Sequence, residues 1–220
     1  MKRWIDLSHT IRDGLITYPG LPAPVIGEFV SRAASRQRYA PGVEFHIGRI
    51  EMVANTGTYV DAPFHRYEDG PDLARLPLER LADLDAVVVD SRSDRAVTPG
   101  HFEGISLRGK GVLVRTGFDA NWGSAAYFEN NPFLTREAAE HLVAENAALV
   151  GIDSLNVDDP ADASRPAHSI LLAAGIPIVE HLARLGSLPA EGFRFFAVPV
   201  KVAGMGSFPV RAFAIVDDEG

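Results

Sequence analysis

Asp61 and His65 are the first residues whose types and spacing suggest chemistry. They stand four apart in Asn55-Thr56-Gly57-Thr58-Tyr59-Val60-Asp61-Ala62-Pro63-Phe64-His65, just after a strand-like run and a glycine turn. On one helical turn that spacing puts both side chains on the same face. A carboxylate oxygen and an imidazole nitrogen facing one way can begin a metal site or an acid/base pair. The plainer alternative makes Asp61 the cap of a helix begun near Pro63, where its carboxylate would accept from free backbone N–H groups. Asp-x-x-x-His is common by chance, so the rest of the chain has to decide between them.

The elements that must position this pair are strands with a few helices. Residues 4–7, 25–30, 43–54, 86–90, 112–116 and 149–152 read as strands, and residues 193–202 and 210–216 as strong strands that end the chain. In 43–54, Val43, Phe45, Ile47 and Arg49 share one face, with Glu44, His46, Gly48, Ile50 and Met52 on the other. Residues 135–146 predict the clearest helix, with Thr135 as N-cap and an apolar stripe of Ala138, Ala139, Leu142 and Val143. His168 opens a short helix ended by Gly175, and Glu180 stands inside an otherwise apolar run. Asp153, at a strand end, reads as a cap or pocket edge. Residues 73–84 carry leucines in a helix-like or irregular pattern broken by Pro77. Residues 118–131 form a long aromatic and polar connection, a length that often serves function. The elements lack a regular βαβ beat, which predicts an α/β or α+β fold with a mixed sheet in a single domain over residues 1–220.

Composition narrows the classes. A 220-residue chain with 46% hydrophobic content has ample core. Its formal net charge is -8 and it has no Lys/Arg cluster, which argues against nucleic acid or an anionic membrane as partner. The absence of cysteine removes disulfides, thiolate ligands and a cysteine nucleophile. No apolar run approaches the roughly 18 residues of a membrane span, and no signal-peptide pattern opens the chain, so a cytoplasmic location is expected. Gly-x-Gly-x-x-Gly, Walker and Gly-x-Ser-x-Gly motifs are absent.

The stretch from Asn55 to His65 resembles the signature His-x-Gly-Thr-His-x-Asp-x-Pro-x-His of the metal-dependent cyclase/hydrolase family that includes bacterial kynurenine formamidase and isatin hydrolase. The likeness extends over nearly the whole chain, through Ile5-Asp6-Leu7-Ser8-His9-Thr10, Tyr18-Pro19-Gly20, Val150-Gly151-Ile152-Asp153-Ser154, His168 with Leu171-Leu172, Ile178-Val179-Glu180 and Ser207-Phe208-Pro209-Val210-Arg211. The resemblance implies a swivelling β/β/α fold, often in homodimers or homotetramers. It also implies a mono- or dinuclear Zn or Mn site that hydrolyses small amides, lactams or esters. In dinuclear members the signature aspartate bridges two metals; one rests on the first two signature histidines, the other on the third histidine with a later His and Glu.

This chain departs from that pattern. Asn55 and Tyr59 replace the first two histidines, while the second half-site is whole as Asp61, His65, His168 and Glu180. Two imidazoles and two carboxylates suit Zn, and also Mn or Fe. The resemblance therefore implies one divalent metal held by Asp61, His65, His168 and Glu180. Without it, His168 is a plain helix residue and Glu180 a buried carboxylate paired with an arginine. His9, His101 and His181 are expected to be surface or structural, and His141 solvated.

The chemistry expected of such a site is attack of activated water on a small amide, lactam or ester. Asp61 and His65 would work at the reacting atoms, His65 or Glu180 would move protons where not fully engaged as ligands, and the Tyr59 hydroxyl would donate to the oxyanion or leaving group. Aromatic residues of the 118–128 loop and the Tyr18-Pro19 segment are expected to wall the pocket. Two rivals remain: a metal-independent acid/base cyclase, dehydratase or isomerase using Asp61 and His65, and a non-catalytic family member that binds a small ligand or a partner chain.

Overall fold

A computed structural model describes residues 1–217. In chain order its strands are β1 (Lys2–Asp6), β2 (Val25–Val30), β3 (Ile47–Glu51), β4 (Tyr59–Asp61), β5 (Leu84–Asp90), β6 (Ala96–Val97) and β7 (Gly111–Arg115). These are followed by β8 (Phe133–Leu134), β9 (Leu149–Ile152), β10 (Ile178–Glu180), β11 (Phe193–Phe196), β12 (Ser207–Pro209) and β13 (Phe213–Asp217). The α-helices are α1 (Arg32–Arg36), α2 (Arg136–Ala144) and α3 (Pro166–Ala173). Nine strands form one mixed sheet in the order β1-β13-β11-β5-β7-β9-β10-β4-β12. Its middle, β5-β7-β9-β10, is parallel, and both flanks are antiparallel.

Apolar residues on both faces of the parallel strands explain why those strands read as continuous valine and leucine runs. On one face Val87, Val89, Val112, Val114 and Ile152 pack with α2 and α3 through Leu142, Ala139, Leu171 and Leu172. On the other, Leu84, Ala86, Leu113 and Leu149 join Phe193, Phe195 and Ala214. Gly151 sits where β9 meets that second core; a Cβ there would lie 2.6 Å from Leu182 and 2.8 Å from Leu113. Thr135 caps α2, its hydroxyl accepting from the Ala138 N–H at 3.2 Å.

Several elements differ from the sequence reading. Of the two courses open to residues 73–84 the irregular one is taken, with a 3₁₀ turn at Leu78–Arg80 ahead of β5, because Pro77 denies a longer helix its hydrogen bond. The strand expected over 193–202 stops at Phe196, ahead of Pro199, and a separate strand, β12, appears at Ser207–Pro209. The 43–54 strand shrinks to Ile47–Glu51, and the connection before it contains α1. β2 and β3 pair only with each other, and neither face is buried.

Candidate metal centre and substrate pocket

Strand β4 ends on Asp61 and passes through Ala62 into a 3₁₀ turn over Pro63–His65. Asp61 and His65 therefore do not share an α-helical face, and Asp61 does not cap a helix. The sharp strand-to-turn step brings them together instead, with His65 Nδ1 3.6 Å from Asp61 Oδ1. Backbone crowding fixes that step. The Ala62 N–H donates to the Gly206 carbonyl at 2.7 Å, and a Cβ on Gly206 would lie 2.5 Å from both N and Cα of His65.

Two neighbouring strands supply the rest. β4 lies between β10 and β12, so Ser207 pairs with Asp61 on one side and Glu180 with Tyr59 on the other. The Ser207 hydroxyl donates to Asp61 Oδ1. With its proton so used, Ser207 Oγ accepts from His65 Nδ1 at 2.9 Å, which leaves His65 Nε2 as the open nitrogen. His168, on α3, is set the same way. Its Nδ1 donates to Asp158 Oδ2 at 2.7 Å, and its Nε2 faces Asp61 Oδ2 at 3.6 Å and Glu180 Oε1 at 3.7 Å. Asp158 also accepts from the N–H groups of Ala167 (2.6 Å) and His168 (3.1 Å), capping a helix whose own N-cap residue, Arg165, offers no side-chain cap.

Asp61, His65 and His168 each place a donor atom within 4.8 Å of the others. Asp61 is fully buried, and its Oδ2 has no hydrogen-bond partner among the described residues. A buried carboxylate oxygen that accepts no hydrogen bond is costly, and an ion between it and the His168 Nε2 3.6 Å away would be held by both. Oriented imidazoles whose far nitrogens are tied to oxygens are the usual surroundings of histidine ligands. The donor set fits one divalent ion. Glu180 lies beside this trio with both oxygens engaged: Oε1 accepts from the Val157 N–H at 2.6 Å and Oε2 from the Tyr59 hydroxyl at 2.5 Å. It is buried, as the plain reading required, but its partners are Tyr59, Val157 and His168 rather than an arginine.

The charges follow from this packing. Burial pushes the Glu180 carboxyl up to about 7, against the pull of His168. Burial also opposes a charge on Asp61, but His168, His65 and Ser207 outweigh it and hold its pKa below the usual value. His168 is driven up to about 10, because Glu180, Asp158 and Asp61 surround it and overcome its burial. Burial and the nearby Glu180 raise the Tyr59 phenol well above its ordinary value, so it stays a neutral donor.

A cavity of about 580 Å³ opens onto these residues. Tyr18, Pro19 and Asn55 line it with Tyr59, His65 and His168, as the Tyr18-Pro19 expectation required. The 118–128 aromatics do not line it. Trp122 stacks on His9 at 3.9 Å, and the Tyr127 hydroxyl bonds His181 Nδ1 at 2.8 Å, behind Tyr59. His181 is thus completely buried and not on the surface. Burial takes it down to about 3 and His9 to about 4. Asp153 caps the turn after β7, accepting from the Thr116 and Gly117 N–H groups at 2.6 and 2.9 Å. His101 bonds Thr98 within its own turn, and His141 is half-buried against Phe102.

Sequence reasoning missed Asp158 and the role of Ser207. Asp158 stands ten residues before His168 in an acidic loop, with nothing local to mark it, and Ser207 is one serine among many.

Comparison with known proteins places the chain among named relatives. Kynurenine formamidase of Bacillus cytotoxicus is 29% identical over 218 residues, covering 96% of each chain. The Maricaulis maris kynurenine formamidase is 28% identical over 212 residues, again covering 96% of each. Isatin hydrolase A from Labrenzia aggregata, solved with benzyl benzoate, superposes with a TM-score of 0.86 at 26% identity over 99% of this chain and 94% of that one. A structure from Bacillus stearothermophilus, described as a predicted metal-dependent hydrolase, gives a TM-score of 0.77 at 25% identity, covering 99% of this chain and all of that one. The model of one family, described as "Putative cyclase", matches residues 5–159, the stretch that holds Asp61 and His65. With the family model matched over residues 5–159 and the mixed sheet superposing on these structures, the chain belongs to the cyclase family.

Proposed function

We propose that this protein hydrolyses a small amide, lactam or ester at a single divalent ion, zinc or manganese, held by Asp61, His65 and His168 with Glu180 beside them. One observation carries the proposal: three donors lie within 4.8 Å of one another, one of them a fully buried carboxylate with an oxygen that accepts no hydrogen bond, and the two histidines line a 580 Å³ cavity. The relatives named kynurenine formamidase and isatin hydrolase support it. When bound, the ion would supply a water of lowered pKa and polarise the scissile carbonyl.

The chain's own residues do the rest. Asp158 and Ser207 hold the His168 and His65 rings with their Nε2 atoms open. Glu180, whose carboxyl pKa burial raises, lines the cavity beside these residues and would be the group to take the proton of the attacking water and return it to the leaving group. Tyr59 serves Glu180, because its hydroxyl proton is committed there rather than to an oxyanion. The Tyr18-Pro19-Gly20-Leu21 segment shapes the pocket wall, its prolines stiffening a loop with no strand pairing.

Self-association belongs to the same proposal. The β2–β3 pair exposes Val25, Ile26, Phe29, Ile47 and Ile50, with Phe45 exposed just before β3, and an isolated two-stranded sheet is at best marginally stable in water. Its charges are mixed, with Glu28, Arg49 and Glu51 on the same two strands, as suits a self-complementary contact. A second copy of the chain covering this pair of strands gives a homodimer or homotetramer. Light scattering should then give two or four times the 23.8 kDa chain mass, and Phe29→Glu should shift the population to monomer. A monomeric wild type would refute this part.

The hydrolytic reading is tested by elemental analysis of the purified protein together with turnover of aryl formamides, isatin-type lactams and lactones. About one zinc or manganese per chain with turnover abolished by chelation is expected. A metal-free protein that hydrolyses none of these compounds would end the proposal. No helix among the described residues is long and apolar enough to cross a membrane.

A further inference from the structure

Two arginines stand at the mouth of the cavity beside the histidines. Arg66 follows His65 directly, and Arg165 precedes His168 by three residues; both line the cavity. Each is held by a neutral acceptor. Arg66 Nε donates to Ser169 Oγ at 3.2 Å, and the Arg165 guanidinium donates to Asn156 Oδ1 at 3.2 Å. Ser169 links the two, since its hydroxyl also donates to the Arg165 carbonyl at 2.8 Å. Neither guanidinium forms an ion pair among the described residues, unlike Arg92 with Asp90 or Arg211 with Asp6. Asp162 acts on Arg165 only through space, its carboxylate accepting hydrogen bonds from the N–H and hydroxyl of Ser164.

The backbone adds a second observation. Arg165 adopts the left-handed conformation, with φ 47° and ψ 60°, which glycine or asparagine would take more cheaply. The conformation is kept with a long cationic side chain that reaches the cavity. A chain of net charge -8 thus places two oriented guanidinium groups, neither in a direct ion pair among the described residues, in the lining of this cavity. Arg66 is exposed and Arg165 half-exposed, whereas Asp61 and Glu180, which would repel an anion, are fully buried.

We propose that Arg66 and Arg165 form a subsite for a carboxylate carried by the substrate away from the bond that is broken. The inference rests on the hydrolytic reading of the cavity and adds the substrate's charge to it. Guanidinium groups present several N–H donors in a plane that matches a carboxylate, and their hydrogen bonds to Ser169 and Asn156 leave other N–H groups free. The substrate class is then an anionic aryl amide, lactam or ester.

The test compares formanilide with 4-formamidobenzoate on the metal-loaded wild-type protein and on Arg66→Gln, Arg165→Gln and the double variant. Direct binding of benzoate and of neutral benzamide is measured alongside by calorimetry. The wild type should favour the anionic formamide by about tenfold in kcat/KM, with the preference shrinking as salt rises. The double variant should bring that ratio close to one and weaken benzoate binding while leaving benzamide binding unaltered. Equal rates for the two formamides in the wild type, or a preference that survives the double substitution, would overturn the subsite. If neither formamide is hydrolysed but benzoate binds and depends on the arginines, the subsite stands and the hydrolytic reading falls. The wild-type charge preference and its salt dependence need no variant, so a folding defect in the double variant does not remove the test.

Discussion

Tyr59 and Glu180 face each other across the antiparallel pairing of β4 with β10, and the phenol donates to the Glu180 carboxyl at 2.5 Å. Tyr59 stands where the family signature has a histidine, and its hydroxyl is turned to a carboxylate of the second half-site. Tyr59 thus adds a hydrogen-bond donor to a carboxyl whose pKa burial raises. Removing the hydroxyl with Tyr59→Phe takes one donor from a completely buried carboxyl. The cost should be about 1–3 kcal/mol of stability by urea unfolding. The turnover should fall by about tenfold or more with KM little changed. A kcat equal to wild type would show that the bond has no part in the reaction.

Asp158 acts on His168 at a distance from the cavity. It takes the Nδ1 proton and two backbone N–H groups at the start of α3. Asp158→Asn keeps the shape but loses the anion that fixes the tautomer. Metal affinity should drop by about 10–100-fold, measured by competition with a chelating dye. Unchanged affinity would mean that α3 alone orients the ring.

Gly206 is the tightest backbone contact at the site. A methyl group in Gly206→Ala would have to occupy space 2.5 Å from His65 N and Cα. The turn carrying His65 must move, at a cost of about 1–3 kcal/mol or more. Thermal unfolding and metal content should both fall, and a variant with wild-type values in each would contradict the packing described.

Acid should destabilise the fold through two imidazoles, the buried His181 and the half-buried His9. Burial lowers His9 to about 4 and His181 to about 3, from the ordinary 6.5. Both bind protons more readily when unfolded, so their contribution is fully present above pH 6.5 and is lost as pH falls towards 4 and then 3. His9 is partly exposed, which limits its share to about 1–2 kcal/mol. His9→Phe keeps an aromatic ring against Trp122 and should flatten part of the decline in unfolding midpoint between pH 6.5 and 4. An identical pH profile in the variant would remove His9 from the account.

The sequence by itself determined the residue types on which the site depends. Asp61, His65, His168 and Glu180 were legible because a spacing of four and a family pattern mark them. Most buried strands were legible too, since a strand covered on both faces reads as an unbroken apolar run, and Thr135 marked its helix because an N-cap is a local device. Only the tertiary structure decided which way these side chains work. Strand register set Tyr59 against Glu180 and Ser207 against Asp61, and pairing between residues more than a hundred positions apart leaves no local trace. The same holds for Asp158 reaching back to His168, and for the 118–128 aromatics, which close over His9 and His181 rather than the cavity. Local sequence fixes propensity and composition, whereas the partners of a buried polar group are chosen by whichever distant backbone and side chains must satisfy it.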